Sequence, residues 1–141
     1  EWMMTDIKYQ VVKSTDNEAL LRLYRAVDWW QKDENPKYLD TVASIVKNSF
    51  CFVIAQKGEE IIGMGRAISD GCSDAYIQDV TVKESERGQG IGKEIIRELL
   101  KYLKEHDIQW IGLISEPGYE GFYSSLGFKV MQGYTPFLLG D

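Results

Sequence analysis

The sequence predicts an α/β fold, more closely an α+β arrangement with one mixed sheet, and three observations predict it. Short β-type runs in the first half are joined by tight turns, as in antiparallel hairpins. A glycine-rich segment, Arg87-Gly88-Gln89-Gly90-Ile91-Gly92, follows one of these runs and opens a strongly amphipathic helix. Beyond that helix a further strand and a further helix alternate, the order of an α/β half.

Ile7 to Val12 mixes polar and β-branched residues as a first strand does, and Thr15 with Glu18 offers a capping box to the helix that follows. That helix carries Leu20, Leu21, Leu23, Tyr24 and Val27 at helical spacing and stops near Asp28. Trp29 to Pro36 is polar apart from its two tryptophans; after Pro36, the positions of Tyr38, Leu39, Val42, Ile45 and Val46 restore the helical period. Phe50 to Ala55 and Ile61 to Ser69 pair about a Lys57-Gly58-Glu59 turn, and Asp70-Gly71 leads into the strand Ala75 to Val82. The helix after the glycine loop puts Ile91, Ile95, Ile96, Leu99, Leu100 and Leu103 on one face and charged residues on the other. Trp110 to Ser115 reads as a buried strand, and Pro117 to Leu126 as a short helix begun by proline and capped by Gly127. Phe128 to Met131 and Tyr134 to Leu139 read as a closing hairpin. The predicted order is β-α-α-β-β-β-α-β-α-β-β, in one domain spanning 1–141, with no internal repeat.

Composition narrows the function classes. A net charge of -6 argues against a nucleic-acid binder, which needs clustered Lys and Arg. Two cysteines without a C-x-x-C pair, and one histidine, indicate neither a zinc cluster nor a disulfide framework. Cys51 lies in an apolar run and reads as a small core residue. No apolar run reaches bilayer length and no signal peptide is evident, so the expectation is a cytoplasmic protein without membrane partners.

The glycine loop carries the chemistry. Backbone N–H groups at a helix N-terminus favour phosphate. The dinucleotide pattern G-x-G-x-x-G fails, because Lys93 stands where the third glycine belongs after Gly88 and Gly90. The P-loop pattern fails because Arg87 and Glu94 stand at its first and last positions. The set Arg87, Gly90 and Gly92 resembles the Q/R-x-x-G-x-G/A pattern of the GNAT N-acetyltransferase superfamily. Downstream, Phe122-Tyr123-Ser124-Ser125-Leu126-Gly127-Phe128 looks like that superfamily's F-Y-x-x-L-G-F segment. The order of elements also matches, so the resemblance covers nearly the whole chain.

The resemblance implies the GNAT acyl-CoA N-acyltransferase fold and transfer of an acetyl group from acetyl-CoA, as cosubstrate and with no metal, to a primary amine of a small molecule. It implies that Val80, Thr81 and Val82 offer strand backbone to the pantetheine arm. Arg87, Gly88, Gln89, Gly90, Ile91 and Gly92 would then hold the pyrophosphate. Tyr123 would protonate the departing thiolate, a role suited to a phenol, whose ordinary pKa is about 10. Glu116 departs from the pattern, since many members have asparagine seven positions before the tyrosine.

An amine must shed a proton to attack, and Asp79, in the strand beside the cleft, is the candidate base or amine-orienting group. Its alternative is a structural carboxylate bonded to loop backbone. Trp29, Trp30 and Tyr38 fall in a connection that in this superfamily often borders the acceptor site, where aromatic rings suit an amine. A homodimer is implied by resemblance alone. Two other readings stay open: a non-catalytic acyl-CoA sensor, and an acetyltransferase for protein lysines or N-termini.

Overall fold

The computed structural model describes residues 6–30 and 35–140. Five strands, β1 (Ile7–Val11), β2 (Cys51–Lys57), β3 (Glu60–Ser69), β4 (Asp74–Val82) and β5 (Trp110–Leu113), lie in the order β1-β2-β3-β4-β5. The first four pair antiparallel and β5 joins β4 in parallel, so the sheet is mixed as the sequence predicts. Helices α1 (Asn17–Ala26) and α2 (Lys37–Asn48) cover one face, over Phe52, Ile54 and Met64. Helix α3 (Ile91–Glu105) covers the other, burying Ile95, Ile96, Leu99 and Leu103 on Val53, Ala55 and Ile77.

Two glycines let α3 lie close to β3. A Cβ on Gly63 would stand 2.9 Å from Ile95 Cδ1, and one on Gly65 would stand 2.8 Å from Ile95 Cγ2. The approach settles the depth at which the first turn of α3, with its free amides, sits beside the end of β4.

Several local expectations change. Asp16, not Thr15, caps α1, its Oδ1 accepting from Ala19 N at 3.1 Å, because the helix begins one residue later than a Thr15 cap requires. Helix α4 is only Glu120–Ser124, since Gly118 is left-handed (φ 93°) and keeps Pro117 out of the helix. Gly127, at φ 98°, does close it: Gly127 N donates to Ser124 O and Phe128 N to Tyr123 O, the paired bonds of a Schellman cap.

The closing hairpin is absent. Residues 128–140 hold no strand, and Tyr134, Phe137, Leu138 and Leu139 are between 75% and 97% exposed. Alternation within this segment is too weak a signal by itself, because a ribbon of two short strands is marginal unless a sheet edge or a helix receives it. Here neither does.

Candidate active site

Strands β4 and β5 pair only from Asp74 with Trp110 to Ile77 with Leu113. Beyond Ile77, β4 runs on to Val82 without β5 beside it. The two strands part there, and a cleft of about 810 Å³ opens between them, walled by Gln78–Val82, the glycine loop, Leu113 and α4. All three candidate strand residues, Val80, Thr81 and Val82, line it.

At one end of the cleft stands the loop. A 3-10 turn at Glu84–Glu86 leads to Gly88 (φ 82°) and Gly90 (φ 84°), both left-handed, and Gly90 caps α3 with no side chain. Side chains at these two positions would meet nothing within 4 Å, so glycine answers the backbone angle rather than crowding. The first bond of α3 runs from Glu94 N to Gly90 O, which leaves the amides of Ile91, Gly92 and Lys93 without helical acceptors. Arg87 is pinned by Nε to Val82 O at 2.8 Å, and both Arg87 and Lys93 line the cleft. Glu86 is spent on Lys57, at 3.3 Å. Open amides, two cations and bare glycine backbone fit a pyrophosphate. Gln89 does not line the cleft; its Nε2 turns back to Glu86 O at 3.2 Å.

Midway along β4 the strand bulges. Between Met64 and Arg66 the β3–β4 register shifts, so one residue of β3, Gly65, faces two of β4, Asp79 and Val80. Asp79 is left-handed at φ 56°. The extra residue resets alternation: Ile77 and Val82 share the α3-side core although their odd offset along the chain would put them on opposite faces of a regular strand. Asp79 Oδ2 accepts from Arg66 Nε at 2.8 Å and from Tyr24 Oη at 3.1 Å. A left-handed non-glycine residue costs roughly 1–2 kcal/mol. Hydrogen bonds to a charged group contribute about 1.5–3 kcal/mol each, enough to hold it there. Asp79 lines the cleft with that oxygen already engaged.

The far wall is α4 and its approach. Tyr123 sits against the α3-side core, edge-on to Phe122 (5.0 Å) and Phe128 (5.9 Å). Burial, then the charge of Glu116, raises its pKa above the ordinary phenol value, so it holds its proton firmly at neutral pH. Glu116 and Tyr119 line the same cleft.

Of the three aromatic candidates near the acceptor, only Trp29 lines the cleft. Trp30 stacks on Tyr24 at 4.3 Å and Tyr38 on Trp30 at 5.7 Å, both packed on the α1–α2 core. The polar connection is therefore anchored by the second tryptophan, whose ring finds a buried partner. Part of that connection, 31–34, lies outside the described residues. Lys93, which lines the cleft, and Tyr24 and Arg66, which bond Asp79, were not singled out by the sequence: Tyr24 was hidden in an apolar stripe, and its hydroxyl partner is 55 positions away.

Among the described residues, no group of three or more His, Cys, Asp or Glu side chains could hold a metal ion, and no helix is long and apolar enough to cross a membrane. Residues 16–128 match the model of the Acetyltransferase (GNAT) family. The chain is 34% identical over 113 residues to an uncharacterized N-acetyltransferase, ycf52, of Gracilaria tenuistipitata var. liui, covering 77% of this chain and 59% of that one. It is 35% identical over 102 residues to the histone acetyltransferase TAP1 of Glycine max, covering 64% and 44%. The chain thus spans about half of the length of these two relatives. A solved GNAT family acetyltransferase of Streptococcus pneumoniae superposes with a TM-score of 0.80 at 26% identity, over 96% of this chain and 98% of that one.

Proposed function

The chain belongs to the acetyltransferase (GNAT) family, and on that premise we propose that it moves an acetyl group from acetyl-CoA to the primary amine of a small molecule by direct attack. The observation that carries this reading is the cleft itself. One opening between parted strands has free helix amides and two cations at one end and a protonated tyrosine on its wall. Acetyl-CoA, when bound, supplies the thioester whose carbonyl accepts the amine.

In this reading the Ile91–Lys93 amides, with Arg87 and Lys93, hold the pyrophosphate. The backbone of Val80 to Val82, with no strand beside it toward β5, aligns the pantetheine arm, and the Val80 amide polarises the carbonyl. Tyr123 gives its proton to the departing thiolate. Asp79 orients the amine or, with water in the cleft, takes up the proton it sheds on attack, and Trp29 offers the amine an aromatic face. The outer edge of β5, which has no partner strand among the described residues, supports a homodimer, which sedimentation at micromolar concentration would detect.

A second reading, acetylation of protein lysines, is favoured by the relative named a histone acetyltransferase and by the exposure of Ile114 (72%) and Tyr119 (45%) at the acceptor side. The deciding experiment is thiol release from acetyl-CoA over a panel of polyamines, aralkylamines, aminoglycosides, amino acids and lysine peptides. Amine-dependent release with small molecules is expected. Release with peptides alone would transfer the assignment to protein lysines, and acetyl-CoA binding without release would make the chain a sensor.

A further inference from the structure

Acyl transfer requires the β4 backbone beside the cleft to stay fixed, yet that is where β4 departs most from a regular strand. Asp79 is left-handed, and Val80 comes directly after it in the bulge. Two side chains from different elements meet on the same oxygen of Asp79. Arg66 reaches it from β3, where it pairs with Gln78, and Tyr24 reaches it from α1. Packing alone calls only for the ring of Tyr24, which is 1% exposed. A buried hydroxyl needs a partner, and this one takes the carboxylate of the bulge.

The same ring is one end of the stack through Trp30 to Tyr38, and it lies 6.2 Å from Trp29, which lines the cleft. The acceptor-side connection and the thioester-side strand are therefore joined through a single phenol. We propose that Tyr24 and Arg66 are positioning residues for acyl transfer: by clamping Asp79 they hold the bulge, fix the backbone at Val80, and tie it to the tryptophan segment. The kinetic consequence rests on the transferase reading above; the structural consequence does not.

The geometry separates this role from simple packing. Tyr24→Phe keeps the ring and its stack and removes only the bond to Asp79. Misplacement of a reacting group by about 1 Å costs up to about 100-fold in rate, so a loosened bulge lowers kcat by roughly tenfold while KM for acetyl-CoA changes by less than about twofold. Glycine adopts the left-handed angle without strain, so an Asp79→Gly background has no clamp to lose. There the further change Tyr24→Phe lowers kcat by less than about twofold, a coupling read by a double-mutant cycle.

Amide hydrogen exchange followed by NMR supplies the second readout. In Tyr24→Phe, and independently in Arg66→Gln, exchange at Thr81, which pairs with Met64 beside the bulge, quickens by about tenfold or more while Val53 to Ala55, in the core of β2, keep their protection. Three results overturn the proposal: full kcat in Tyr24→Phe, an equal loss in the wild-type and Asp79→Gly backgrounds, or exchange that quickens uniformly along β2 and β4. If no amine supports turnover in the unmodified protein, the transferase reading fails, and the exchange pattern still decides whether the clamp exists.

Discussion

Tyr123 and Glu116 form a pair whose chemistry can be tested by pH. If Tyr123 is the acid, its protonated form is the active one, and Tyr123→Phe lowers kcat near neutral pH by roughly 10- to 100-fold with little change in KM for acetyl-CoA. Unchanged turnover would remove the assignment. Glu116 raises the Tyr123 pKa through its charge, after the larger effect of burial. Glu116→Gln therefore lowers that pKa and moves the alkaline limb of the pH–rate profile to lower pH; a limb that stays in place would place Glu116 outside the reach of the proton. Tyr123 could be named from a local pattern because its neighbours are close in sequence. Tyr24 could not, because its meaning depends on Asp79, contributed by another element.

Cys51 gives a stability test with a definite sign. Burial pushes its thiol from the ordinary 9.0 up to about 12, so the folded state keeps a proton that the unfolded chain loses first. Its contribution is complete below pH 9 and is lost as pH rises through 12. Urea midpoints measured from pH 8 to 11.5 should fall with pH, and Cys51→Ala should flatten that fall.

Among the strands and helices, what sequence periodicity could reveal depends on whether a face was buried. Helix α3, with five residues buried along one stripe, ends as the pattern indicates. The bulge in β4 leaves no trace in such a pattern, since one inserted residue simply looks like a misplaced valine. The two glycines of β3 and those of the loop perform different tasks, and substitution separates them. Gly65→Ala forces a Cβ to 2.8 Å from Ile95 and should cost about 1–3 kcal/mol of stability, read as a lower urea midpoint at constant m. Gly90→Ala meets no neighbour but strains a φ of 84°. It should raise KM for acetyl-CoA several-fold more than it lowers kcat, and a pure loss of kcat would separate the loop from the phosphates.

For the molecule as a unit, the cleft joins both halves of the chain, with β4 on one side and β5 and α4 on the other. A ligand spanning it stabilises the folded state by mass action. Acetyl-CoA at about 100 times its Kd should add about 2.7 kcal/mol and raise Tm by roughly 5–10 °C. No shift at millimolar acetyl-CoA would sink the cofactor assignment. The order of strands and helices as far as α4, the glycine loop and the F-Y-x-x-L-G-F segment that carries Tyr123 follow from local signals, where periodicity, φ preferences and turn chemistry act without help from the rest of the chain. The parting of β4 from β5, the left-handed Asp79 with its two clamps, and the division of labour between Trp29 and Trp30 come from contacts between elements far apart in sequence. Such contacts depend on where a backbone bends and which buried polar atom is nearest, and those are properties of the packed molecule.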